Sequence, residues 1–216
     1  MKKLAIIGAA ELGSLVMYFA SQTGEYGTVG FFDDNSTKGS IFHDRPILGA
    51  VKDIKKQYEL GIFTHLFIGI GYNHMRRRHS LYNMFKGVIP FATIIHKTAY
   101  VDPSSVVGEG VILFPGCVVD MKVVIGNNVL LNTSVSVSHH SDISDNCFLS
   151  PRVAIAGRTS IGKNCFIGMG ATVTDMVVVG SDCMIGARSL VRNNIAEGHL
   201  VFGTPAKIIR KLKNEG

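Results

Sequence analysis

The chain predicts a two-part fold: a small parallel α/β domain over residues 1–90, then a three-walled rod of short parallel strands over 91–200, with a short helical tail over 201–216. Two observations carry this. The first ninety residues alternate apolar, strand-like runs with glycine turns and amphipathic stretches. From Val101 onward an aliphatic residue returns at every sixth position.

The α/β domain opens with "KKLAIIGAAELGSLVMYFASQ", an apolar strand, a glycine turn and an amphipathic helix. "TVGFFDDN" follows as a second strand ending in two acids, and "THLFIGIGYNHMRRRHSLYNMF" repeats the plan with a basic helix. Ligands of such sheets sit at the carboxyl ends of the strands. Gly8, Ala10 and Gly13 occupy the positions of a G-x-G-x-x-G turn, and Asp33 lies 20 residues after Gly13, where a ribose-binding acid is expected. Taken alone, this suggests an NAD-dependent oxidoreductase. The central glycine is alanine, however, and too little chain precedes the repeat for a six-stranded dinucleotide fold, so one nucleotide fits better. Structural alternatives stay open: a turn with no ligand, Asp33 and Asp34 as a cap or turn pair, and "RRRH" (Arg76 to His79) as a solvated helix face.

In the rod, the six-residue register runs Val101, Val107, Leu113, Val119, Ile125, Leu131, Val137, Ile143 and on to Val191. Four residues after each lies a small or β-branched residue, among them Val111, Cys117, Val129, Ser141, Thr159 and Ala171. Both registers fit a prism with one hexapeptide per wall and 18 residues per coil, the aliphatic side chain pointing inward and the small one beside it. Glycines such as Gly108, Gly126, Gly162, Gly168, Gly180 and Gly186 directly follow the aliphatic position, where a corner calls for unusual backbone angles. Cys117, Cys147, Cys165 and Cys183 all occupy the small inward position, which makes them buried packing residues rather than a metal or redox site.

Composition narrows the function. With 46% hydrophobic and 18% charged residues the chain is not disordered, and its net charge of +6 favours an anionic partner. The basic runs lack aromatic interleaving and any zinc-finger or RNA-binding signature, so nucleic acid is set aside. "MKKLAIIGAAELGSLV" reads as a strand turning into a helix, since Glu11 interrupts the apolar run that a secretory signal needs. No apolar stretch is long enough to cross a bilayer, which makes a cytoplasmic location the expectation.

His139 and His140 stand out in "VSVSHHS". His139 lies two residues after the inward Val137, which places it on the surface of the rod. Gly157 lies 18 residues on, one coil along. Stacked coils are about 4.8 Å apart, so a backbone N–H near Gly157 is within reach of a group that His139 deprotonates. A base beside an oxyanion donor is the minimum apparatus for acyl transfer. The alternative is a plain surface histidine.

"LNTSVSVSHHSDISDNCFLSPRVAIAGRTSIGKNCFIGMGATV", together with "FGTPAKIIRKLK", "GAAELG", "FFDDN" and "IGIGYNHMRR", resembles the bacterial nucleotide-sugar N-acetyltransferases of the hexapeptide-repeat acyltransferase superfamily, the group of sialic acid O-acetyltransferase-like and PglD-like proteins. The resemblance covers nearly the whole chain. It implies a Rossmann-like domain that binds a nucleotide-linked 4-amino sugar, a left-handed parallel β-helix that forms a homotrimer, and acetyl-CoA along the groove between neighbouring copies, without a metal. By position it implies His139 as general base, Gly157 as oxyanion donor and Asn132 lining the site. Ala10, Glu11, Leu12, Asp33, Asp34, Gly71 and His74 would hold the nucleotide sugar. Phe148, Met169 and Ala187 would contact the coenzyme. Three positions depart from the family's pattern: His140 stands where a carboxylate often follows the base, Leu12 replaces a histidine, and Phe148 replaces a polar contact.

Two other readings share parts of this pattern. An O-acetyltransferase acting on a sugar hydroxyl would use the same rod and base, and a non-catalytic nucleotide-binding protein would need only the first domain. A nucleotidyltransferase would need a longer first domain with its own phosphate loop, and an ice-binding rod would show a regular outward threonine pattern; neither is present.

Overall fold

A computed structural model describes residues 1–212 and divides the chain into two compact units, Met1–His96 and Lys97–Gly216. The first unit is built on β1 (Lys2–Ile7), α1 (Glu11–Gln22), β2 (Tyr26–Phe32), β3 (Ile41–Phe42), β4 (Arg45–Gly49), α2 (Ile54–Glu59), β5 (His65–Ile68) and α3 (Met75–Phe85). The sheet order is β3-β4-β2-β1-β5, with β1 parallel to both β2 and β5, and β2 parallel to β4. Apolar runs explain the burial: Leu4 to Ile7, Phe31, Phe32 and Leu66 to Ile68 are at most 1% exposed. Leu81, Tyr82 and Phe85 of α3 pack into the same core as Ile7, Phe32 and Ile68. The chain runs from β1 outward to β2 and β4, then returns to place β5 on the other side of β1. That reversal opens a crevice at the carboxyl ends of the strands.

In the second unit, strands of two residues recur every six from Tyr100–Val101 to Leu190–Val191. Each pairs in parallel with the strands one coil away; Val118–Val119, for example, lies between Tyr100–Val101 and Ser136–Val137. From Leu113 onward every residue of the aliphatic register is buried, and so is every residue of the small register from Val111. This is the parallel β-helix that the repeat predicts.

The corner glycines have a different cause from the one expected. Gly108, Gly126, Gly162, Gly168, Gly180 and Gly186 do not have positive φ. They are needed because coils approach closely: a Cβ on Gly162 would come within 2.5 Å of the Ser181 nitrogen. The left-handed corner falls two residues later, at Gly110, Gly116, Lys122, Asn128 and every sixth residue to Arg188. Asparagine serves well there because its short side chain tolerates this conformation, and at two of these corners it also links coils, Asn128 Nδ2 donating to Asn146 Oδ1 at 2.8 Å.

Each of the four cysteines is buried and free. Cys147 and Cys165 donate to the carbonyls of Gly162 and Gly180, each at 3.1 Å. Burial pushes the Cys117 thiol up to about 11, and the hydrogen bond with Cys147 raises that of Cys165. All four thiols pack inside the prism.

The helical tail is corrected. His199–Gly203 continues the wall beside Met184–Ile185, and Ala206–Lys211 folds back on it as an antiparallel strand. The apolar spacing of "AKIIRKLK" suits a helix, but the turn at Gly203, with φ of +110°, directs the backbone bonds into a hairpin. Residues 213–216 of the expected helix lie outside the described residues.

Candidate active site

The carboxyl ends of β1, β2 and β5 enclose a cavity of about 270 Å³ whose lining includes Gly8, Asp33, Asp34, Gly69, His74 and Arg77. Three glycines allow the strand ends to converge. A Cβ on Gly69 would lie 2.8 Å from the Gly13 Cα, and one on Gly13 would strike the Gly8 carbonyl. This close packing of helix and strand is what the spacing of Gly8 and Gly13 signals.

Asp33 accepts the Ala9 N–H at Oδ2 (2.9 Å) and the Asn35 N–H at Oδ1 (2.8 Å). Asp34 accepts the Val51 N–H (2.9 Å) and pairs with Arg77 at 2.8 Å. The two acids therefore brace the cavity rim; Asp33 Oδ1 also accepts the Ser36 hydroxyl at 3.3 Å, while Asp33 Oδ2 and both Asp34 oxygens keep a lone pair for a ligand. Ala10 and His74 also line the cavity, whereas Glu11, Leu12 and Gly71 are not part of its lining. Glu11 and Leu12 open α1, and Gly71 precedes the short turn Tyr72–His74. Arg77 is the residue the sequence did not single out: its run read as a solvated face, and only the pairing with Asp34, 43 residues earlier, reveals its place.

The second group lies on the β-helix. His139 and His140 are exposed, with their Nδ1 atoms 3.2 Å apart. His140 sits at a left-handed corner (φ +59°), and its N–H donates to the Met121 carbonyl at 3.0 Å. The His139 imidazole lies over Gly157, where a Cβ would come within 2.7 Å of its Cε1 and 2.9 Å of its Nε2. Gly157 is thus the platform on which the ring rests. Its N–H, the expected oxyanion donor, is bonded to Asp175 Oδ1 at 3.0 Å. Met121, His139, Gly157 and Asp175 form one column, one residue per coil. Desolvation, followed by the positive charges of Lys122 and Arg158 and by His139, lowers the His140 pKa against the opposing pull of Asp120. His140 therefore stays neutral to lower pH than an ordinary histidine, free to accept a hydrogen bond from His139.

Asn132, Met169 and Ala187 lie at a different corner of the rod. Asn132 Oδ1 accepts the Thr133 N–H at 2.7 Å. Met169 and Ala187 are exposed and stacked one coil apart. Phe148, by contrast, is 4% exposed and packs against Phe166 with ring centroids 6.0 Å apart, which leaves little of it for a ligand. Among the described residues, no group of three or more His, Cys, Asp or Glu side chains could hold a metal ion, and no helix is long and apolar enough to cross a membrane.

A nucleotide-sized cavity in an α/β unit, followed by a hexapeptide-repeat β-helix with a surface histidine seated on glycine, defines a class of acyltransferases. The family described as PglD N-terminal domain matches residues 3–83, and bacterial transferase hexapeptide (six repeats) matches 140–175 and 158–193. The acetyltransferase domain of PglB from Neisseria gonorrhoeae is 31% identical with a TM-score of 0.86, covering 97% of this chain and 100% of that one. PerB from Caulobacter crescentus, solved with CoA and GDP-perosamine, is 28% identical with a TM-score of 0.87, over 97% and 98% of the two chains. Uncharacterized protein L142 of Acanthamoeba polyphaga mimivirus is 36% identical over 81 residues, 38% of this chain and only 15% of that protein. The chain belongs to the PglD-like hexapeptide-repeat acetyltransferases.

Proposed function

We propose that the protein transfers the acetyl group of acetyl-CoA to the amine of a nucleotide-linked 4-amino-4,6-dideoxy sugar. The observation that carries this reading is the likeness over 97% of the chain to the PglB acetyltransferase domain, which has also been solved with acetyl coenzyme A. PerB, bound to CoA and GDP-perosamine, supports an amino sugar on a nucleoside diphosphate as acceptor.

In this reading Asp33, Asp34 and His74 hold the nucleotide sugar, and Arg77 joins them. Acetyl-CoA supplies a thioester. His139 accepts the proton from the sugar amine as nitrogen bonds to the carbonyl carbon, and returns it to the departing thiolate. His140 accepts a hydrogen bond from His139 Nδ1–H, which leaves the lone pair on Nε2 for this work. Asp175 is exposed, so its carboxylate is free to turn into water and release the Gly157 N–H to the carbonyl oxygen as charge develops there. The side chains of Met169 and Ala187 leave their corner open for the coenzyme, and the exposed Arg152 and Arg188 on the same corner suit its phosphates. The high thiol pKa values support direct transfer without an acyl-enzyme.

His139 and the Met169–Ala187 corner face different sides of one rod, which supports a homotrimer in which a neighbouring copy brings the coenzyme to the base. Free cysteines suit a reducing compartment such as the cytoplasm. The test is thiol release from acetyl-CoA with UDP-, dTDP- and GDP-linked 4-amino sugars, with the matching hydroxy sugars as controls. Turnover on an amino sugar supports the reading; turnover confined to a hydroxy sugar makes the protein an O-acetyltransferase. In the same assay His139→Ala is expected to lower kcat by about 10²–10⁴-fold, and an unchanged rate removes His139 from the role of base.

A further inference from the structure

Among the described residues Arg78 is the largest fully buried side chain, with 0% exposure. It lies on α3 beside Arg77, and its Nη1 donates to two carbonyls, those of Ile68 at 2.8 Å and Ile70 at 2.9 Å. Burying a guanidinium is costly unless it is paired or hydrogen-bonded. Here the two carbonyls flank Gly69, and Gly69 and Ile70 line the cavity. Because a trans peptide directs its C=O and N–H to opposite edges, fixing the Ile70 carbonyl turns the Gly71 N–H away from the guanidinium. Gly69 in turn packs against the β1–α1 turn, where its carbonyl would lie 3.0 Å from a Cβ on Gly8. One side chain thus sets the backbone along the β5 edge of the cavity. Burial lowers its pKa to about 10, so it stays charged at neutral pH.

We propose that Arg78 is a positioning residue for the nucleotide sugar: by holding the carbonyls on both sides of Gly69 it shapes the Gly69–Ile70 edge of the cavity, against which the nucleoside diphosphate rests. This rests on the reading of the cavity as the nucleotide-sugar site. The test is calorimetric titration of UDP, GDP and dTDP into the full-length protein, its Arg78→Met variant and its Arg78→Lys variant, alongside thermal unfolding and steady-state kinetics. Losing charged bonds to two carbonyls is expected to weaken binding of the preferred nucleoside diphosphate by about 10- to 100-fold in R78M. R78K, which keeps the charge but not the two-carbonyl fork, is expected to fall between R78M and wild type. The KM for the nucleotide sugar rises in parallel, while the KM for acetyl-CoA stays within about twofold and kcat changes little. Wild-type affinity in a folded R78M overturns the proposal, as does an equal rise in both KM values. Should R78M not fold, R78K decides, and wild-type affinity there also overturns it. Failure of both variants to fold makes Arg78 a folding determinant and overturns the positioning role. Absence of nucleotide binding by the wild-type protein is a separate outcome, which removes the cavity's assignment itself.

Discussion

At the scale of single residues, the contact between His139 and Gly157 makes the sharpest demand. Gly157 lacks a positive φ, so alanine costs its backbone little, but the new methyl would occupy space 2.7 Å from the His139 Cε1. The ring must move. Gly157→Ala is expected to lower kcat by about 100-fold, the usual cost of an ångström of misplacement in a reacting group, with little change in Tm; wild-type kcat would sink the platform role. His140 gives a second prediction. Its pKa is lowered, so it remains a neutral acceptor on acidification until below the ordinary histidine range, after which its protonation removes the acceptor and adds charge beside His139. The acid limb of log kcat/KM is therefore expected to be steeper in the wild type than in His140→Asn, whose amide oxygen still accepts but does not titrate. An equally steep limb in both proteins removes His140 from the dyad. The place of His139 was legible because the six-residue register turns the aliphatic and small positions inward and leaves His139, two residues after Val137, on the surface. Asp175 was not: it sits two coils away in sequence, and nothing in its own neighbourhood says that it takes the Gly157 N–H.

At the scale of elements, the β-helix was legible because one physical cause, packing of the prism interior, repeats along the chain. Its corners were only half legible. The sequence places glycine at them, but two separate needs produce glycine, and composition does not distinguish close approach from left-handed backbone. Substitution does. Gly162→Ala would drive a methyl to within 2.5 Å of the Ser181 nitrogen, which is backbone of the next coil and has little freedom to yield. A loss of about 1–3 kcal/mol is expected. Gly170, at φ +66°, meets only the flexible Arg188 Cγ at 3.6 Å, so Gly170→Asn is expected to cost less than about 1 kcal/mol. Denaturant unfolding of both variants checks the order, and equal losses would refute the division into two kinds of corner. The β3–β4 hairpin escaped the α/β alternation because β3 has only two residues and its turn, His43 and Asp44 at positive φ, carries no glycine. The tail misled for the opposite reason: its side-chain spacing suits a helix, while its hydrogen bonds follow the wall it extends.

At the scale of the whole molecule, three-fold coiling separates the proposed base from the proposed coenzyme corner. One rod carries His139 on one corner, with Met169 and Ala187 on another, and a rigid prism does not fold these corners onto each other. The proposed trimer solves this by a head-to-tail interface, in which each site takes the base from one copy and the open coenzyme corner from the next. Such an arrangement predicts complementation between two inactive proteins. His139→Ala lacks the base, and Ala187→Trp fills an exposed corner without disturbing the packed interior. Each alone is expected to be inactive at saturating acceptor. Co-expressed in equal amounts they form mixed rings, in which a site works when the copy giving the base is the tryptophan variant and the copy giving the corner is the alanine variant. The chance of each is one half, so activity returns to about a quarter of the wild-type level per site. Separately purified variants mixed without subunit exchange stay inactive. Mixed rings without recovered activity would place base and coenzyme on a single copy, and would require the coenzyme to lie along the corner of His139 itself.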